Sequence, residues 1–283
     1  MIRRTALLSA LTLSLLLSAC SKNKDDDAAG DDAQAQAASE VRDESAPADE
    51  APPPPPPKMD YWSVVGPLVA GNYGGTCVRM PDGHKMDATV ALGANGKVAA
   101  GGLDIDFREA RKTTLMRVAN DKGEYATTAI FAMEPEKAGL LSMHSGEGGK
   151  GGVTLSRDDV SLMCSDVAGV DKINAQPLHQ SMAKFFNGKK QTVSCLDSKN
   201  LLVRRDLDVE IDDTVIKIGS DTFDMKSAAF ESIAFDDNGS SMALGVGTPD
   251  KRTITLMYDG AGTLTGLMAM NAEGSTHSCN KKE

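Results

Sequence analysis

Four histidines, five cysteines and two alternating runs of carboxylates are the residues of this 283-residue chain with side chains suited to chemistry. The histidines are His84, His144, His179 and His277, and none lies at a metal-binding spacing such as H-E-x-x-H. His144 stands next to Ser145, a pairing that invites a nucleophile and its base. It also sits just before a glycine-rich stretch, and a spacing match to the second half of the chain aligns it with Tyr258. The run Gly146-Glu147-Gly148-Gly149-Lys150-Gly151 has the glycines of a phosphate loop but no Ser or Thr after the lysine. A hairpin turn is the reading it supports. Asp104 and Asp106 alternate, and Asp206, Asp208, Glu210 and Asp212 make a longer series. In a strand those four carboxylates share one side, with Leu207, Val209 and Ile211 on the other. Such a row is either a solvated outer face or an electrostatic docking stripe for a basic partner. A calcium site would need the oxygens to converge, which a spread of about 20 Å along a strand does not allow. No catalytic residue, metal ligand or cofactor is expected.

The first twenty residues carry a different chemistry. Arg3 and Arg4 precede an apolar stretch from Ala6 to Leu17, too short to span a bilayer and suited to a signal peptide. The sequence then runs Leu17-Ser18-Ala19-Cys20, which resembles the lipobox of bacterial lipoproteins. The resemblance implies a diacylglycerol thioether on Cys20, cleavage before Cys20 and acylation of the new amine, with 1–19 as the signal peptide. Ser21 after the cysteine, rather than aspartate, implies sorting to the outer membrane with the globular part in the periplasm. The acidic run Asp25-Asp26-Asp27 is of a kind that accompanies surface export in some lipoproteins.

Residues 20–58 read as the lipidated cysteine and a disordered tether. The segment is Ala, Asp, Glu, Gln, Ser and Pro with one branched aliphatic, Val41, and it cannot bury enough apolar surface to offset chain entropy. It ends in Pro52 to Pro57, a stiff polyproline rod. Ten acids and four bases give residues 21–58 a charge of −6; Arg3 and Arg4 add +2, so −6 of the total −10 falls on residues 59–283. The acidic balance excludes nucleic acid and anionic lipid as partners of the body.

The elements that must hold these residues repeat. Glu134-Pro135-Glu136-Lys137 is followed by Met143, Gly146 and Gly148, and Thr248-Pro249-Asp250-Lys251 by Met257, Gly260 and Gly262, at the same offsets of 8, 11 and 13 from the proline. This predicts two copies of one small domain, 59–170 and 171–283. Cys77 and Cys164 bracket the first copy, 87 residues apart, and Cys195 and Cys279 the second, 84 apart. Of the three pairings open to four cysteines, the repeat selects Cys77–Cys164 and Cys195–Cys279; the alternative joins Cys164 to Cys195. Each loop closure contributes about 4–5 kcal/mol in the chain-entropy model.

Within each copy the pattern is mostly strand. Ala88 to Leu92 leads to an Asn95-Gly96 turn, and Leu207 to Ile211 and Ile254 to Tyr258 alternate as half-buried strands do. Helices are predicted over Asp60 to Ala70, weakened by Pro67, and over Pro177 to Phe186. Tyr61, Trp62 and Tyr73 cap the first helix or form an exposed anchor. Nine methionines in or near strands, among them Met80, Met143, Met163, Met257, Met268 and Met270, read as core filler. The expected fold class is therefore α+β, mainly antiparallel β, each copy a helix packed on its own antiparallel sheet. The expected function is a non-enzymatic, membrane-anchored protein-binding module. In architecture it resembles periplasmic inhibitor and immunity lipoproteins, which implies a basic secreted toxin or cell-wall hydrolase as partner. A structural lipoprotein of the envelope, or a small-ligand binder between the copies, is the alternative.

Overall fold

The computed structural model describes residues 54–55, 57–135, 138–145, 151–174, 178, 181, 189–197, 200–212, 214–272 and 276–282. They belong to a compact unit, Pro53–Glu283.

The first half contributes α1 (Trp62–Val69), β1 (Gly71–Met80), β2 (His84–Leu92), β3 (Lys97–Ala100), β4 (Leu103–Asp106), β5 (Lys112–Ala119), β6 (Tyr125–Ala132), β7 (Leu140–Ser145), β8 (Gly151–Arg157) and β9 (Val160–Ala168). A short helix, α2 (Asp171–Asn174), follows. The second half contributes β10 (Lys190–Asp197), β11 (Asn200–Asp212), β12 (Val215–Ile218), β13 (Asp221–Asp224), β14 (Phe230–Asp236), β15 (Ser241–Gly247), β16 (Thr253–Asp259), β17 (Leu264–Met270) and β18 (Thr276–Lys281). Every ladder is antiparallel. In the first half the order is β4-β3-β2-β1-β9-β8-β7-β6-β5. In the second it is β14-β15-β16-β17-β18-β10-β11-β12-β13. A ladder between β5 and β14 joins the two into one sheet.

This overturns the α+β expectation. The molecule is nearly all antiparallel β, a single sheet of 18 strands, not a helix laid on a separate sheet in each half. The physical reason lies at β5 and β14: each ends its own half, and each satisfies its outward backbone groups on the other instead of leaving an open edge. The first expected helix forms as α1, two residues shorter at its start. Trp62, Val64, Val65, Leu68 and Val69 are buried, so this helix lies inside the curve of the sheet rather than across an outer face. It packs closely: a Cβ on Gly66 would come within 2.4 Å of the Ala94 carbonyl oxygen. Of the second expected helix only residues 178 and 181 are described, both helical, with Leu178 buried; the rest lies outside the described residues.

One row of ladder partners crosses twelve strands on the inward face. From the seam outward it reads Leu115, Ala129, Met143, Val153, Cys164 and Cys77 in one direction. In the other it reads Ile233, Leu244, Leu256, Leu267, Cys279 and Cys195. All twelve are buried. Leu115 and Ile233 face each other, so a local two-fold axis passes between them. Matching positions differ by 118, 115, 113, 114, 115 and 118 residues along the row. The disulfides Cys77–Cys164 and Cys195–Cys279 close its two ends, each joining residues directly opposite on neighbouring strands with Cα atoms 3.9 Å apart.

The row also corrects a register. The offset from proline aligned Met143 with Met257, but the ladder aligns Met143 with Leu256 and places Met257 opposite Ala243 on the outer face. Side chains alternate with a period of two, so a one-residue slip moves a residue through the sheet. Met143 is accordingly buried and Met257 exposed.

Candidate functional site

The carboxylate series of β11 lies where alternation places it. Val209 and Ile211 are buried on the inward side, and Asp206, Asp208, Glu210 and Asp212 stand outward. Three of the four pair with a lysine from a neighbouring strand or beyond it. Lys282 Nζ lies 2.6 Å from Asp206, Lys190 Nζ 2.8 Å from Asp208, and Lys217 Nζ 3.1 Å from Asp212. Glu210 sits in register between Lys190 on one side and Lys217 on the other. The Lys190 ammonium and the Thr192 hydroxyl hold the Asp208 carboxyl below its usual range, and Asp208 raises Lys190 in return. The stripe is thus a row of exposed ion pairs across β10, β11 and β12, with its negative charge largely neutralised.

His144 and Ser145 do not meet. Ser145 is buried on the inward face, where its Oγ accepts from the Thr127 amide at 3.0 Å, while His144 is exposed on the outward face. A sheet separates the two groups, which removes the nucleophile–base pairing. Residues 146–150 lie outside the described residues, as do His179 and Cys20. Asp106 caps a 3-10 turn, accepting from the Arg108 amide, and pairs with the Arg108 guanidinium, which holds its carboxyl below the ordinary range. Among the described residues no three His, Cys, Asp or Glu gather to hold a metal ion.

The aromatic cluster near the tether is internal. Tyr61, Trp62 and Tyr73 are buried. The Trp62 indole donates to the Ala94 carbonyl at 2.6 Å, and the Tyr61 hydroxyl reaches the Arg108 carbonyl at 3.0 Å. Burial raises the Tyr73 hydroxyl to about 12, and it donates to the Val69 carbonyl at the end of α1. Tyr61 stacks on Phe235 of the second half at 5.1 Å, and Met59 donates to the Gly239 carbonyl at 2.8 Å. Residues 57–62 therefore fasten onto both sides of the β5–β14 seam. The halves meet as paired strands, and beside the seam residues 58–62 with Arg108 and Asn238 line an open pocket of about 280 Å³. An open groove of about 410 Å³ lies elsewhere, over Gly74, Gly75, Thr76, Asp87, Thr89 and Asp166.

Sequence reasoning missed the outward face of the central strands. Three adjacent rows cross it. The first reads Met163, Thr154, Ser142, Ile130, Thr114, Ala234, Ala243 and Met257. The next reads His144, Thr128, Met116, Ser232, Gly245, Thr255, Met268 and Ser278. The third reads Ala126, Val118, Phe230, Gly247, Thr253, Met270 and Thr276. None of these positions is Asp, Glu, Lys or Arg, in a chain that is 25% charged. Charges return only in the row beyond, at Lys112, Asp236 and Asp259. The face exposes Met163, Met257, Met268, Met270, Ile130 and Val118, six of the eight large apolar side chains that are exposed among the described residues. The core-filler reading thus holds for Met143 and Met242 and fails for Met80, Met163, Met257, Met268 and Met270. The signal was present as Thr, Ser, Ala and Gly alternating with the buried residues of each strand, but it names a face only once the pairing is known.

The chain matches no family model, no curated protein and no solved structure. Among the described residues no helix is long and apolar enough to cross a membrane.

Proposed function

We propose that the chain is a lipoprotein held to the outer membrane through Cys20, its body in the periplasm on an acidic tether, acting as a non-enzymatic protein-binding module. Its proposed role is to occlude a secreted toxin or cell-wall hydrolase, as inhibitor or immunity protein. The observation that carries the reading is the pair of disulfides closing the inward row, in a chain whose first twenty residues resemble a signal sequence and lipobox. Disulfides persist in oxidising compartments such as the periplasm, and acyl chains worth about 0.8 kcal/mol per buried CH₂ hold a two- or three-chain anchor in place. The charge of −6 on residues 21–58 and −6 on residues 59–283 favours encounter with a basic partner at low salt. Such a partner would compete with Lys190, Lys217 and Lys282 for the carboxylates of β11.

The test is capture of secreted and envelope proteins of the producing cell on the mature lipidated chain, with bound proteins identified by mass spectrometry. One stoichiometric basic hydrolase or toxin, lost when Asp206, Asp208 and Glu210 are reversed to lysine, is the expected result. Several envelope proteins of the same cell and no secreted enzyme would overturn the inhibitor reading. Fractionation of Cys20→Ala tests the anchor separately: release into the soluble fraction is expected, and retention in the membrane would remove the lipid claim.

A further inference from the structure

The uncharged face has the size and the electrostatics of a surface made for another like itself. From β8 across the seam to β17 it covers eight adjacent strands, which at standard spacing is roughly 34 Å across. Three rows of outward side chains add roughly 20 Å along the strands, so the face offers about 700 Å², close to the ~800 Å² per partner of a stable interface. A face without Asp, Glu, Lys or Arg that gathers six of the eight large apolar side chains exposed among the described residues marks an interaction surface.

We infer that this face joins two copies of the chain, sheet against sheet. Three observations select a second copy as the occupant. Residues 59–283 carry −6, so two copies repel through the charged parts of their surfaces, and this is a broad area where they can meet without opposing like charges. A basic partner would find no carboxylate here, and an anionic lipid surface no lysine or arginine, since both are missing from all three rows. The exposed apolar side chains also suit a like surface. Met257, Met268 and Met270 are exposed on this face, and flexible thioethers adapt to a facing sheet without pre-formed relief. A two-fold dimer sets the same patch of each copy against the other. The inference does not depend on what the chain inhibits or on its anchor.

The experiment is sedimentation equilibrium of the full chain purified from membranes in detergent, over a wide concentration range and at low and high salt. A reversible dimer that high salt leaves intact is expected, because no ion pair holds it. Met257→Asp with Met268→Asp places two carboxylates in the contact and is expected to raise the dissociation constant about a hundredfold or more. Ala243→Arg, which sets a charge on the face opposite Met257, is a second and independent variant. Both leave the inward row untouched, so disulfide mapping and circular dichroism should match the parent. Glu210→Gln on the charged flank should leave the dimer unchanged. A chain that stays monomeric at every concentration overturns the inference, as does a dimer that survives both face variants or dissolves in salt.

Discussion

The two ends of the β5–β14 seam are related by the local two-fold through Leu115 and Ile233, yet they are chemically opposite. Toward one end Arg117 faces Glu231, both buried, with 2.8 Å between guanidinium and carboxylate. The Tyr125 ring lies 4.0 Å from the guanidinium carbon, and its hydroxyl donates to the Ala228 carbonyl at 2.7 Å. Toward the other end the matching positions hold Thr113 and Phe235, and Phe235 stacks on Tyr61. The difference teaches what each end does. The apolar end contributes packing, which any pair of similar edges could share. The polar end works only when β5 meets β14: a β5–β5 pairing of two chains would set Arg117 opposite Thr113, and a β14–β14 pairing would set Glu231 opposite Phe235. A buried ion pair is weak as a source of stability and effective as a selector of partner strands.

That contrast can be broken from either side. Glu231→Ala leaves a buried guanidinium without its carboxylate and should cost about 3–5 kcal/mol in chemical denaturation of the oxidised protein. Phe235→Ala should cost about the same, through a cavity beside Tyr61. The two losses part company in repair: adding Arg117→Leu should recover most of the first and none of the second. Tyr125→Phe, which removes one hydrogen bond at the polar end, should cost about 1 kcal/mol. Arg117→Leu with Glu231→Leu should stay within about 1 kcal/mol of the parent or exceed it, while cross-linking of refolded material reveals mispaired chains; unchanged fidelity would deny the selecting role. The smallest effect belongs to the surface ladder. Asp208→Asn should not measurably change stability near neutral pH. The Asp208 and Asp106 carboxyls titrate below their usual range when folded. What they contribute is present above the ordinary carboxylate range and is lost only as pH falls through their lowered folded values.

Legibility from sequence followed the range of the interaction. Alternation in Leu207 to Ile211 placed every side chain of that stretch on the correct side, and the Asn95-Gly96 turn sits between β2 and β3 with Gly96 at φ +81°. The cysteine pairing came from the spacing of two bracketed segments and stands as expected. The single sheet was hidden because Lys112–Ala119 contains nothing that says its partner lies 118 residues on. The uncharged face was hidden for the same reason, since its rows run across strands rather than along the chain. The alignment of Met143 with Met257 shows the remaining hazard. Matching spacing from a proline gave the right strands and the wrong side.

The inward row ends in strands that arrive far apart in time. As the chain emerges N-terminus first, β1 is complete long before β9, which completes its ladder 87 residues later at the first disulfide. The same delay recurs between β10 and β18, with 84 residues between the cysteines of the second disulfide. The seam itself waits for β14. Until then β5 presents an unpaired edge, and every ladder that closes a half is a long-range one, the kind of topology that folds in milliseconds to seconds and exposes pairing edges meanwhile. Assembly of this sheet is therefore a race between its own last strands and any foreign edge that reaches β5 first.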